Sequence, residues 1–410
     1  MAQAKKIKIG VLYSSEKPRW GSCVSISANL RASYAKLEND YEIHWLPIDS
    51  EKYQNDLCLG NGYIMGFAEG ILKSKITKIC FIDHHLKILP LLQALKIIEP
   101  QKWSKLEKIF HVYGDFTYFA LDWQQTSPLL IGSHTALLCA SDRQKDLVSF
   151  FEREVVPGSV SVCPFPVDSE FFRFSEKKRN QWRKKLGLAG EHLTLYAGRL
   201  SLQKGVLAAI REFQKLGAEK NNVVFAIAGT CDDIGSPTMA GQLPAGYFQQ
   251  RFDEVLSTLA KSLRGRIRIL GNLDRNELSG LYCAADSFIS FSLYHDEDFG
   301  MAPAEALATG LPALLSDWGG YSSFAVPGTS VHLTPVSLSR RGLSFDTARI
   351  RSNGQCSSRV ALRHSKESGR PRLFQINSQS MRLQRNLKKF SNKNHRVFPA
   401  LVGNWVRFVL

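Results

Sequence analysis

The sequence predicts an α/β protein of two doubly wound units. Three observations predict it: short β-rich apolar runs alternate with helix-patterned stretches, the alternation stops and restarts once, and 410 residues suffice for two domains of ordinary size. Parallel strands buried on both faces read as continuous apolar runs, and crossover helices need the polar-apolar stretches between them.

Taken in order, Lys6–Tyr13 is the first strand, followed by a Gly21-Ser22 turn and a helix-patterned stretch to Leu37. Strand-like runs recur at Tyr41–Leu46, Thr77–Ile82, Lys108–Tyr113 and Ala136–Ala140. The pattern restarts after Arg183, through Asn222–Ala228, Arg266–Leu270 and Asp286–Phe291. The expected organisation is a first domain with its linker over 1–180, a second over 181–335 and a basic tail over 336–410. In open sheets of this kind ligands bind at the carboxyl ends of the strands.

Two strand-loop-helix segments in the second unit carry chemistry. In Leu193-Thr-Leu-Tyr-Ala-Gly-Arg-Leu-Ser-Leu-Gln-Lys-Gly205 a turn opened by Gly198 holds Arg199 and Lys204, with a helix expected over Gly205–Leu216. Arginine offers a planar fork to phosphate oxygens and lysine a compact charge, so the pair can neutralise a diphosphate without a metal. In Glu297-Asp-Phe-Gly-Met-Ala-Pro-Ala-Glu305 the loop leads into a helix with Pro303 in its first turn, ended by Gly310 and Pro312. Glu297 is expected in the loop and Glu305 in the first helical turn, both facing a ligand over the helix start. Phe299, Gly300 and Met301 line the same loop, and Gly300 permits close backbone approach to phosphate oxygens or sugar hydroxyls. Taken singly, Glu305 and Lys204 also read as residues favoured at a helix start by its dipole, and Arg199 as a surface-turn residue.

Gly-Arg-Leu-x-x-x-Lys-Gly, then Glu-x-Phe-Gly-x-x-x-x-Glu, then Ala-x-Gly-x-Pro, in that order, resembles the donor half of the retaining GT-B glycosyltransferases of family 4. Pro164-Phe-Pro-Val-Asp168 with Phe171 and Phe172 is similar to the family's interdomain stretch, although Phe165-Pro166 stands where Asn-Gly is usual. The resemblance implies two Rossmann-like domains facing a cleft. It also implies transfer of a sugar, with retained configuration, from a nucleoside diphosphate sugar to a hydroxyl of a saccharide or lipid-linked acceptor. UDP-sugars are the expected donors, with GDP-mannose second. Arg199 and Lys204 would stabilise the departing diphosphate, Glu297 would sit by the transferred sugar, and Glu305 would accept from the ribose hydroxyls. Ile269-Leu-Gly-Asn-Leu273 falls where the base would lie, the loop at Gly21 beside the diphosphate, and the strand-end His111 near the sugar. His84 and His85 also end a strand and read better as ordinary loop or core histidines.

Other chemistries compete. Asp296 and Asp298 form an Asp-x-Asp loop, the signature of a metal-dependent transferase of another fold, but the Arg-Lys pair already supplies the countercharge, so neither metal nor cofactor is expected. Gly60-Asn-Gly-Tyr-Ile-Met-Gly66 has the wrong spacing for a nicotinamide-binding loop. A nucleotide-sugar binding protein without turnover stays open, and a hydrolysing epimerase of the same fold has no specific support.

Of the net charge of +16, +14 lies at one end. From Arg340 onward stand sixteen basic and two acidic residues, leaving a nearly neutral body of 37 basic and 35 acidic groups. A disordered tail, a basic arm for anionic lipid or a polyanionic acceptor, and an altered reading frame with the native carboxyl end lost all account for that composition. The last would put activity in doubt. No specific nucleic-acid binding is expected. The eight cysteines show no Cys-x-x-Cys spacing, which predicts reduced thiols. Met1-Ala-Gln-Ala-Lys-Lys6 lacks the apolar core of a leader, so a cytoplasmic chain is expected, with peripheral contact at the inner face of a membrane left open.

Overall fold

A computed structural model describes residues 6–345 except 17–20, 83–87, 114–115, 118, 131–133, 152–158, 237–238, 327–328 and 341. His84, His85 and most of the basic tail lie outside the described residues. The chain divides into two units at Pro166/Val167, ahead of the expected boundary at 181. The connector at Asp168–Phe172 and the helix Glu176–Lys185 therefore belong to the second unit.

The first unit is a six-stranded parallel sheet of β1 (Lys8–Ser14), β2 (Glu42–Ile48), β3 (Lys78–Phe81), β4 (Glu107–Val112), β5 (Thr135–Cys139) and β6 (Val160–Val162), in the order β2-β1-β3-β4-β5-β6. Its core is apolar and aromatic: Phe81 and Phe110 stack at 4.4 Å between ring centroids, and Trp123 meets Phe110 edge-on at 6.1 Å. In the glycine-rich stretch 60–66, residues 60–62 turn between two helices and Tyr63–Gly66 begin the second. Gly60 caps the helix Ser50–Leu59 in the left-handed region, and the Asp56 carboxylate accepts from the N–H groups of Gly62 and Ile64.

In the second unit β7 (His192–Ala197), β8 (Val223–Ala228), a small hairpin of β9 (Ile234–Ser236) and β10 (Met239–Gln242), β11 (Ile267–Gly271), β12 (Ser287–Ser290), β13 (Ala313–Ser316) and β14 (Val331–Thr334) follow in sequence. The six-stranded parallel sheet runs β11-β8-β7-β12-β13-β14. Every residue of β8, Val-Val-Phe-Ala-Ile-Ala, is buried, as a strand covered on both faces requires. The strand order reverses between β7 and β12, so a crevice opens at their carboxyl ends.

Local signals explain the elements around it. Asp274 and Glu277 form a reciprocal capping box at the start of the helix Arg275–Ala284. Arg179 and Arg183, on the helix Glu176–Lys185, clamp the Asp286 carboxylate at 2.6 and 3.1 Å. Arg179 also donates to the carbonyls of Cys283, Ala284 and Ala285, satisfying a helix end that would otherwise be unpaired. The second unit continues past the expected limit at 335 into a hairpin of β15 (Val336–Ser339) and β16 (Gly342–Phe345), whose Phe345 packs on Phe291 at 5.0 Å.

The seven described cysteines are free thiols. Among the described residues no helix is long and apolar enough to cross a membrane.

Candidate active site

The two sequence segments singled out for chemistry leave β7 and β12, the pair flanking the strand-order reversal, and their loops are bonded together. The loop after β7 first pairs with the loop after β8: Gly198 N–H donates to Ala228 O, Leu200 N–H to Thr230 O and Asp232 N–H to Leu200 O. This brings the Asp232 carboxylate 2.9 Å from the Arg199 guanidinium, whose other nitrogen donates to Gln203 Oε1 at 3.3 Å. Gln203 is buried, and its backbone carbonyl accepts from Leu293 N–H and Ser292 Oγ, both at 3.1 Å. That carbonyl joins the β7 loop to the β12 loop.

Gly205 shows why the join needs glycine. It lies at φ +70°, and a Cβ there would stand 1.9 Å from the carbonyl oxygen of Phe291. The helix after it, Val206–Glu219, starts one residue later than expected and runs further.

Lys204 and Glu297 meet across the two loops, Nζ to Oε2 at 2.6 Å, with Nζ also 5.8 Å from the Tyr294 ring centroid. The Glu297 carboxylate is almost wholly buried, so the ammonium is its compensating charge. Its loop is held from behind by the segment after β13. Trp318 Nε1 donates to Tyr294 O at 2.7 Å, Ser316 Oγ to Ser292 O at 2.6 Å, and Gly320 N–H to Glu297 O at 2.6 Å. Gly319 and Gly320 lie against the backbone of Glu297 and Asp298 so closely that a Cβ at either would fall 2.4 Å from a carbonyl oxygen. Phe299 is buried against Phe324 at 4.9 Å, fixing the turn into Gly300 and the helix Met301–Ala308. The first N–H groups of that helix have no intrahelical acceptor, and its Pro303 has none to offer.

Glu305 departs from expectation. Because the helix starts at Met301, Glu305 lies in the second turn, where its side chain is directed inward and is not solvated. Tyr282 donates to its carboxylate at 3.2 Å, and burial pushes its pKa up to about 7, against the lowering influence of Tyr282 and Arg275. Leu273 is half-buried between β11 and the capped helix. Asp296 is buried with His295 Nε2 3.8 Å from it, and among the described residues no three His, Cys, Asp or Glu side chains converge as a metal site would require.

In the first unit Gly21 begins the helix Gly21–Ala35, with open space where a side chain would stand. His111 is the penultimate residue of β4, as its strand-end pattern predicted, yet only 1% of it is exposed, so it has no open face toward a ligand. One ring nitrogen lies 2.9 Å from the Tyr34 hydroxyl, and burial lowers its pKa to about 4.

Asp232, Tyr196, Gln203 and Tyr282 were not singled out from the sequence. Tyr196 carried a usable signal, since it lies at the carboxyl end of a strand, and Asp232 a weaker one, in the loop that follows β8.

Comparison with known proteins agrees with this geometry. Residues 178–337 match the family described as glycosyl transferases group 1. The chain is 28% identical over 189 residues to the lipopolysaccharide 1,2-N-acetylglucosaminetransferase of Salmonella typhimurium, covering 46% of each chain. It is 30% identical over 162 residues to the mannosylfructose-phosphate synthase of Agrobacterium fabrum, covering 37% of this chain and 31% of the relative. It thus spans less than half the length of these curated relatives. Among solved structures, Anabaena HepE in complex with UDP-glucose superposes with a TM-score of 0.57 at 15% identity, over 87% of this chain and 92% of that one. The glycosyltransferase WaaG, involved in lipopolysaccharide biosynthesis, gives 0.53 at 14% identity over 98% of both. These identities speak for the fold alone. Over residues 178–337, within its second unit, the chain is thus similar to the glycosyl transferases group 1 family.

Proposed function

We propose that the protein is a retaining glycosyltransferase that moves a sugar from a nucleoside diphosphate sugar to a hydroxyl of a saccharide or lipid-linked acceptor. A UDP-sugar is the favoured donor and GDP-mannose the second. The observation that carries the proposal is the joining of two cationic side chains, a buried glutamate and a helix start at the point where the strand order of the second sheet reverses. The family match over residues 178–337 and the UDP-glucose bound by HepE support it.

Bond breaking at the anomeric carbon leaves charge on the diphosphate and an oxocarbenium-like sugar. Arg199, Lys204 and the N–H groups at the start of the Met301–Ala308 helix are arranged to receive that charge without a metal. Both cations face carboxylates, Asp232 and Glu297, at 2.9 and 2.6 Å. The diphosphate then replaces or shares existing countercharge, and the loop needs little rearrangement.

Glu297 is assigned to the hydroxyls of the transferred sugar, Glu305 to the ribose and Leu273 to the base. Gly198, Phe299, Gly300 and Met301 form the backbone and walls around the diphosphate. The first unit is assigned the acceptor, with Gly21 opening its helix. His111 is a neutral buried ring held by Tyr34, which places it behind the site and not in contact with the sugar.

Calorimetric titration with UDP and with GDP, each with and without EDTA, tests the proposal. Metal-independent binding that is lost in an Arg199→Ala, Lys204→Ala variant is the expected result. Absence of binding to either nucleotide refutes the donor assignment, and binding abolished by EDTA turns it toward a metal held by Asp296 and Asp298. Binding without transfer to any acceptor leaves a nucleotide-sugar binding protein.

A further inference from the structure

We propose that Tyr196 is a positioning residue whose hydroxyl sets the backbone path between Arg199 and Lys204, and so the direction in which the two cations point. The inference rests on the donor-site reading above and deepens it. Tyr196 is the penultimate residue of β7, and its ring is 1% exposed. Its hydroxyl lies 2.8 Å from Arg199 O and 3.3 Å from Lys204 O, so one O–H group reaches both ends of the loop that carries the cations. Burial and the nearby Glu297 charge raise its pKa, so the phenol stays protonated and remains a donor.

Within the loop Lys204 N–H also donates to Ser201 O and Arg199 to Gln203 Oε1, each at 3.3 Å, while further bonds run outward. Leu200 is bonded to the β8 loop through Thr230 O, and Gln203 O to the β12 loop through Leu293 N–H. Those bonds fix where the loop sits against its neighbours, whereas the tyrosine hydroxyl fixes its two ends relative to each other. Gly198 opens the loop beside that hydroxyl; a Cβ there would be 3.6 Å from it. Phenylalanine in place of Tyr196 keeps the packed ring and removes only the donor that the Arg199 and Lys204 carbonyls share. The loop then relaxes and the cations lose their common aim, while base and ribose contacts on other elements are untouched.

The test compares nucleotides that differ by one phosphate. Wild type and Tyr196→Phe are titrated in EDTA with UDP and UMP, and with GDP and GMP, alongside thermal melts. The expected result is a roughly tenfold loss of diphosphate affinity with monophosphate affinity held within about twofold. Replacement of Tyr196 by 4-aminophenylalanine, which restores a donor on the same ring, recovers most of the diphosphate affinity and keeps the test decisive if the phenylalanine variant folds poorly. Unchanged diphosphate affinity in Tyr196→Phe overturns the inference, as does an equal loss for mono- and diphosphate, or failure of the amino analogue to recover binding. Wild-type chain that binds no nucleotide overturns the donor-site reading and the inference with it.

Discussion

Lys204 Nζ and Glu297 Oε2 stand 2.6 Å apart although 93 residues separate them in the chain. This one contact couples the loop after β7 to the loop after β12, and it gives a nearly buried carboxylate the cation it needs.

Removing either member therefore has a structural cost as well as a catalytic one. Lys204→Ala leaves the Glu297 charge buried and unmatched, with an expected stability loss of about 3 kcal/mol. Adding Glu297→Gln in that background should recover most of it, which chemical denaturation of the single and double variants measures. If the proposed reaction holds, transfer rate falls by roughly 10²–10³ in Lys204→Ala and in Arg199→Ala, and Glu297→Gln does not restore it.

Glu305 gives the second unit a pH dependence of definite sign. Its folded-state pKa of about 7 lies above the ordinary value of 4.5, so between those limits the native state holds a proton that the unfolded chain has released. Stability contributed by this group is thus greatest at low pH and falls as pH rises from 4.5 to 7. Glu305→Gln should flatten that segment of the profile and make the protein more stable than wild type at pH 8, read by melting across pH. Nucleotide affinity should show the opposite trend in wild type, strengthening as the carboxylate ionises through pH 7, and Glu305→Gln should lose that trend.

For His111 the sign reverses. Its folded pKa of about 4 lies below the ordinary 6.5, so the unfolded chain binds a proton that the native state does not. Stability from the neutral buried ring is complete above pH 6.5 and is lost as pH falls toward 4. His111→Gln should remove this slope, visible as a smaller drop in melting temperature between pH 7 and pH 4.5.

Two glycine substitutions should behave oppositely. Gly205→Ala places a Cβ 1.9 Å from Phe291 O at φ +70°, so severe loss of stability and of nucleotide binding is expected. Gly66→Ala, in the exposed middle of the helix Tyr63–Lys73 with nothing within 4 Å, should stabilise by about 0.5–1 kcal/mol. Thermal melts of the two variants beside wild type decide both.

The alternation of apolar runs and helical stretches was enough to place the strands, because parallel strands buried on both faces carry a strong local signal. Lys6–Tyr13 was expected and Lys8–Ser14 is found; Asp286–Phe291 was expected and Ser287–Ser290 is found. Strand order was not legible, since the placing of β12 beside β7 depends on which crossovers pack and not on any residue within either strand. The same limit hid the Arg199–Asp232 and Tyr282–Glu305 pairs, each made by residues on different loops or helices. Glu305 was expected in the first helical turn facing a ligand, and only when taken singly did it read as a solvated helix-start residue. Its inward direction follows from where the helix begins, one residue after Gly300 at φ +104°, and from the tyrosine waiting on the helix Arg275–Ala284.

The backing of the Glu297 loop by Gly319 and Gly320 bears on how the site comes into being. During synthesis the cationic loop after β7 leaves the ribosome well before Gly319 does. Until that late segment arrives, Glu297 O lacks the Gly320 N–H and Tyr294 O lacks the indole of Trp318. Nascent chains halted before residue 318 should therefore hold most of the second sheet yet capture no nucleotide, and competence should appear abruptly once the glycine pair has emerged.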